Sequence, residues 1–113
     1  MKQDITVIRS RTRVLKVYVN DSQGNPYVLG SGETLILGVK KNISDTNYVI
    51  KKTATMENCI NGAYVFNISP SDTSGLLAPH TYQYDVCLVN GEDCFTVIET
   101  SRFDLAPNVS EKE

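Results

Sequence analysis

Apolar and polar residues alternate with a period of two along most of this chain, and no segment sustains a 3.6-residue period for three turns. In "RVLKVYV" the alternation places Leu15, Val17 and Val19 on one face and Lys16 and Tyr18 on the other. "TLILGVKK" gathers Leu35, Leu37 and Val39, "YVIKKTAT" begins a strand at Val49 and Ile50, and "AYVFNIS" aligns Tyr64, Phe66 and Ile68. "HTYQYDVCLV" points Tyr82, Tyr84, Val86 and Leu88 one way and Gln83, Asp85, Cys87 and Val89 the other. "CFTVIE" returns with Phe95 and Val97 inward, and "RFDLAP" reads as a last short strand.

Turn chemistry separates these runs. "NDSQGNP" combines residues that tolerate positive φ with a proline that cannot donate to a ladder, and "KNISDTN" and "ENCING" interrupt the chain in the same way. "SPSDTSG" differs: Ser69 caps, Pro70 suits the first helical position, Asp72 stands at the third, and Gly75 ends the turn. The predicted architecture is an all-β, immunoglobulin-like antiparallel β-sandwich of seven to eight strands, with one short helical turn near residues 70–75. Its two sheets would face each other about 10 Å apart. Leu15, Val17, Leu37, Val39, Phe66, Ile68, Tyr84, Val86 and Phe95 form the expected core. In such sandwiches a tyrosine at the corner before a central strand bonds back to nearby backbone, and Tyr82 is preferred over Tyr84 for that role. A two-residue type I′ turn at Asn90-Gly91 is favoured and would set Cys87 opposite Cys94; a four-residue turn would instead pair Val89 with Cys94 and leave Cys87 beside Thr96.

The 113 residues suffice for one domain, read as residues 1–109 with a polar tail at 110–113. Apolar residues at 41%, charged residues at 21% and a net charge of −2 describe a water-soluble chain and disfavour nucleic acid, whose binders are usually basic. The N-terminus has no apolar stretch resembling a secretory signal, and no run is long enough to span a membrane. Three cysteines without a CxxC, and a single His80, fit neither a disulfide framework nor a zinc site. His80 reads as an exposed loop residue. Asp21, Gln23 and Asn25 read as a turn in preference to a calcium loop, because no Glu stands at the twelfth position. The sequence therefore points to no enzyme, cofactor, metal or small-molecule substrate. The basic set Lys2, Arg9, Arg11, Arg13 and Lys16 reads as the charged outer face of an edge strand. Ile5, Val7, Arg9, Arg11 and Arg13, in "DITVIRSRTR", are the expected interface.

The strings "LKVYVNDSQGNPYVLGSGETLILGVKK", "YVIKKTAT", "NGAYVFNISPSDTSGLLAPHTYQYDVCLV" and "FTVIETSRFDLAPNV" carry a family likeness over about residues 13–109. Their markers are the D-x-x-G-x-P-Y-x-L turn, the GVKK strand, and D-T-x-G-L leading to T-Y-x-Y-D-V. The chain resembles the N-terminal immunoglobulin-like domain of baseplate upper proteins and other tail proteins in phages of Gram-positive bacteria. It departs from that pattern at His80, where a turn glycine is expected. The resemblance implies a phage or prophage tail or baseplate component. Such a module would dock other virion proteins or a second copy of itself, and would reside in the virion after synthesis in the host cytoplasm. The alternative is an immunoglobulin-like module of a bacterial cell-surface or adhesin protein, for which the fold would be the same.

Overall fold

Alternation becomes strand wherever one face can be buried. The computed structural model, which describes residues 3–60 and 62–109, contains eight strands: β1 (Ile5–Ile8), β2 (Arg13–Tyr18), β3 (Glu33–Lys40), β4 (Ile50–Ala54), β5 (Cys59–Ile60), β6 (Ala63–Ile68), β7 (His80–Asn90) and β8 (Asp93–Ala106). A single turn of helix, α1 (Pro70–Thr73), falls where the sequence predicts it, and a 3₁₀ turn spans Met56–Asn58. The polar-tail assignment at 110–113, Lys2, and Asn61 of the predicted "ENCING" turn lie outside the described residues.

The strands form a curled five-stranded sheet, ordered β1-β8-β7-β3-β4, and a small three-stranded sheet, ordered β2-β6-β5. The larger sheet is mixed, because β1 runs parallel to β8. That corrects the expectation of purely antiparallel sheets. At residues 9–12 the chain passes from β1, at the edge of one sheet, to β2, at the edge of the other, through Ser10 at φ 62.

Cross-strand partners share a face, so the inward residues line up in rows. Ile5, Phe103 and Tyr82 make one row, and Val39 with Tyr84, Leu37 with Val86, and Leu35 with Leu88 continue along β3 and β7. The small sheet contributes Leu15 beside Phe66 and Val17 beside Tyr64 to the same apolar cluster. Eight of the nine residues expected in the core are buried. Phe95 is not: it is 56% exposed.

Two register shifts in β8 explain what happens near Phe95. Tyr84 pairs with Ser101, Val86 with Ile98, and Cys87 with Thr96, so β8 carries an extra residue at each step. Inward positions on β8 consequently run 95, 98, 101, 103 and 105, and Ile98 takes the core place that strict alternation gives to Val97. "CFTVIE" and "RFDLAP" are thus one bent strand of 14 residues, where the sequence reading had two.

The β7–β8 hairpin corrects the favoured Asn90-Gly91 turn and adopts the register of the alternative, with one further pair, Asn90 with Asp93, closing the loop. Asn90 pairs with Asp93, Val89 with Cys94, and Cys87 with Thr96, so the loop is Gly91-Glu92 and Cys87 does not face Cys94. Gly91 at φ 60 in the first loop position suits a II′ turn. Asn90 is kept as a strand residue by its side chain, whose Nδ2 donates to Glu33 Oε2 at 3.2 Å.

Buried tyrosine hydroxyls tie the loops to this frame. The Tyr82 hydroxyl accepts from the Leu77 N–H at 3.0 Å and donates to the Leu77 carbonyl at 3.4 Å, which is the corner role expected of it. The Tyr84 hydroxyl donates instead to the Gln3 carbonyl, ahead of β1. At α1, Asp72 accepts from the Ser69 N–H at 2.7 Å and pairs with Lys52 at 2.8 Å, joining the helical turn to β4. Partial burial pushes the Asp72 carboxyl up, but the hydrogen bonds from Lys52 and Ser69 outweigh it, and the net shift is downward.

Candidate functional site

The small sheet is shorter than the large one, and at the hairpin end the two separate. The opening is a groove of about 690 Å³ between the end of β2 and the first half of β8. Phe95 pairs with inward-facing Leu88 yet is 56% exposed, and Tyr18, which also lines the groove, is 63% exposed. Leu88 and Ile98 form an apolar floor between them.

The polar side of the groove is built on Glu33, the first residue of β3. Its carboxylate accepts from the Gly30 N–H at 2.7 Å, from the Tyr27 hydroxyl at 2.8 and 2.9 Å, and from Asn90 Nδ2 at 3.2 Å. The Gly30 N–H, followed by the Tyr27 hydroxyl, holds the Glu33 carboxyl below its ordinary value. The same bond to Glu33 pushes the Tyr27 phenol up. Tyr64 fastens the loop from below: its buried hydroxyl accepts from the Leu29 N–H at 2.7 Å and donates to the Tyr27 carbonyl at 3.0 Å. At the rim, Asp21 Oδ1 accepts from the N–H groups of Gln23 and Asn25, at 2.9 and 3.0 Å, which is the turn the sequence suggested.

The Glu33 oxygens are occupied by these donors, and they hold the loop that shapes the groove. His80 opens β7, a correction to its reading as a loop residue, and packs edge-on against Tyr82 with ring centroids 4.7 Å apart. Cys59, Cys87 and Cys94 are free. Burial, then the neighbouring Cys94 thiol, pushes the Cys87 thiol up to about 11. Among the described residues no group of three or more His, Cys, Asp or Glu is arranged to hold a metal. No helix among them is long and apolar enough to cross a membrane.

The residues proposed from sequence as an interface are dispersed. Ile5 and Val7 point into the core from β1, and the exposed residues of that strand are Thr6 and Ile8, the latter at 48%. Arg9 is half-buried, with Nε on Asn108 Oδ1 at 2.9 Å and Nη1 3.5 Å from the carbonyls of Ser74 and Leu76. Arg11 lies in the crossover and Arg13 at the exposed start of β2. The arginines therefore do not line the outer face of one edge strand; they follow the passage between sheets. The groove residues escaped the sequence reading. Phe95 has the alternation of a core residue, and nothing local marks Glu33 or Tyr18, which line one groove only in the folded chain.

Compared with known proteins, the chain matches no family model and no curated sequence.

Proposed function

We propose that this chain is a non-enzymatic structural module of a phage or prophage tail or baseplate, one that docks other virion proteins and positions receptor-binding parts. The observation that carries the docking role is an exposed aromatic groove, walled by Tyr18 and Phe95, on a frame whose loops are pinned by buried hydroxyls. Large apolar side chains held open around a concave surface mark a contact site. The strand order supports an immunoglobulin-like reading: β8-β7-β3-β4 beside β2-β6-β5 follows the layout of variable-type sandwiches. Fold analogy alone does not assign function, so the phage assignment rests on the turn and strand motifs described above.

The assignment is tested by raising antibodies to the purified chain and labelling both induced phage particles and host cell walls with immunogold. Label at the tail tip is the expected result. Label on the cell wall and none on particles would replace this reading with the adhesin alternative. The part played by β1 is read from Ile8→Ser with Arg13→Glu in the same particles, with loss of incorporation expected. Deleting the strand would be uninformative, because it strips Ile5 and Val7 from the core.

A further inference from the structure

Strand β8 is 14 residues long, but β1 covers only its last part, Phe103–Ala106. Gln3 and Asp4 extend that cover slightly: the Gln3 N–H donates to Ser101 Oγ at 2.8 Å, and the Arg102 N–H donates to Asp4 at 2.9 Å. Upstream, from Cys94 to Ile98, β8 is paired with β7 alone among the described residues and lines the groove; the pairing is regular as far as Thr96, and Val97 is the extra residue that interrupts it. Tyr18 and Val19 line the other side of the groove at the end of β2, an edge strand paired with β6 alone among the described residues. A concavity bounded by strand edges presents backbone donors and acceptors in a line. An extended polypeptide can satisfy such a line, with its side chains filling pockets on alternate sides.

Charge narrows the partner. The groove lining holds the carboxylates of Asp21 and Glu33 and no Lys, Arg or His, and the hairpin tip beside it adds Glu92 and Asp93. No Lys or Arg occurs between residues 17 and 39 or between 53 and 101, so the whole hairpin end is acidic. We propose that Cys94–Thr96 of β8, ahead of the extra residue at Val97, receives an added strand from a partner polypeptide, entering along the line of β1 and carrying alternate apolar and basic residues. Its apolar side chains rest on Tyr18, Leu88 and Phe95, and its Lys or Arg side chains meet Asp21 and the Glu92–Asp93 tip.

The proposal rests on the docking role above but is independent of the phage assignment. The probe is an acetylated, amidated ten-residue peptide of alternating Val and Lys, titrated into the full ¹⁵N-labelled chain. Expected are saturable shifts concentrated at the amides of Tyr18 and Cys94–Thr96. Affinity should fall by about tenfold or more in 0.5 M salt, with Glu92→Lys, or when Glu replaces Lys in the peptide. Phe95→Ser, at an exposed position that leaves the fold intact, should weaken binding similarly. The same peptide methylated on alternate backbone nitrogens cannot form a ladder and should not bind. Equal binding of the methylated peptide, shifts centred elsewhere, or no binding up to about 1 mM would each overturn the inference. Tail-tip immunogold label with no peptide binding would remove this inference alone, and peptide binding with cell-wall label would remove only the phage reading.

Discussion

Replacing Tyr64 with Phe removes one oxygen from a fully buried ring and leaves the ring's packing in place. That oxygen serves two groups in the loop before β3: it accepts from the Leu29 N–H at 2.7 Å and donates to the Tyr27 carbonyl at 3.0 Å. Leu29 is 1% exposed, so water cannot take over its N–H. Stranding a buried donor costs ~1–3 kcal/mol, and about 2 kcal/mol is expected here. For a domain of this size that lowers Tm by about 8 °C. Tyr82→Phe provides the comparison, since its hydroxyl also bonds one residue's N–H and carbonyl. Leu77 is 59% exposed, so solvent can replace the lost partner, and the cost should be no more than ~1 kcal/mol. Urea and thermal melts of both variants give the two values, and amide exchange should quicken around Leu29 in Tyr64→Phe. Equal losses in the two variants, or a Tyr64→Phe loss below about 0.5 kcal/mol, would refute the claim that burial of the stranded group sets the cost.

Phe66→Ala should cost ~3–5 kcal/mol because Phe66 is 1% exposed, whereas Phe95→Ala should change stability by less than about 0.5 kcal/mol; chemical denaturation separates them. Ser10 holds φ 62 and a buried hydroxyl with no partner among the described residues, so Ser10→Gly should stabilise by up to about 1 kcal/mol in the same assay. With its thiol pushed up to about 11, Cys87 should alkylate far more slowly at neutral pH than exposed Cys94, as peptide mass mapping would show. Glu33 is held below its ordinary value, so its ionised form stabilises the fold above the normal glutamate range, and that contribution is lost as pH falls through the lowered value. Glu33→Gln should therefore destabilise at neutral pH and flatten the acid limb of a stability–pH curve.

Period-two patterning and turn residues were enough to place most strands, their inward faces and the helical turn. Both signals act between neighbours along the chain: alternation decides which side chains a strand can bury, and Ser69-Pro70 with Asp72 closes one turn on itself. Even the Tyr82 corner spans only five residues, from its hydroxyl to Leu77. Other features depended on residues far apart in sequence. The Asn90-Gly91 pair fits either hairpin frame, and the bond from Asn90 to Glu33, 57 residues away, accompanies the frame adopted. The register shifts in β8 answer to β7 and moved Ile98 inward at the expense of Val97, which no local pattern announces. Parallel pairing of β1 with β8 joins residues 98 positions apart, with Ile5 beside Phe103. The groove depends on where the small sheet stops. Phe95 has the composition and phase of a core residue, and it is exposed because the opposing layer ends before reaching it. Burial on a strand needs an inward-facing side chain and a second sheet over it; alternation supplies the first, and only the packing of the two sheets supplies the second.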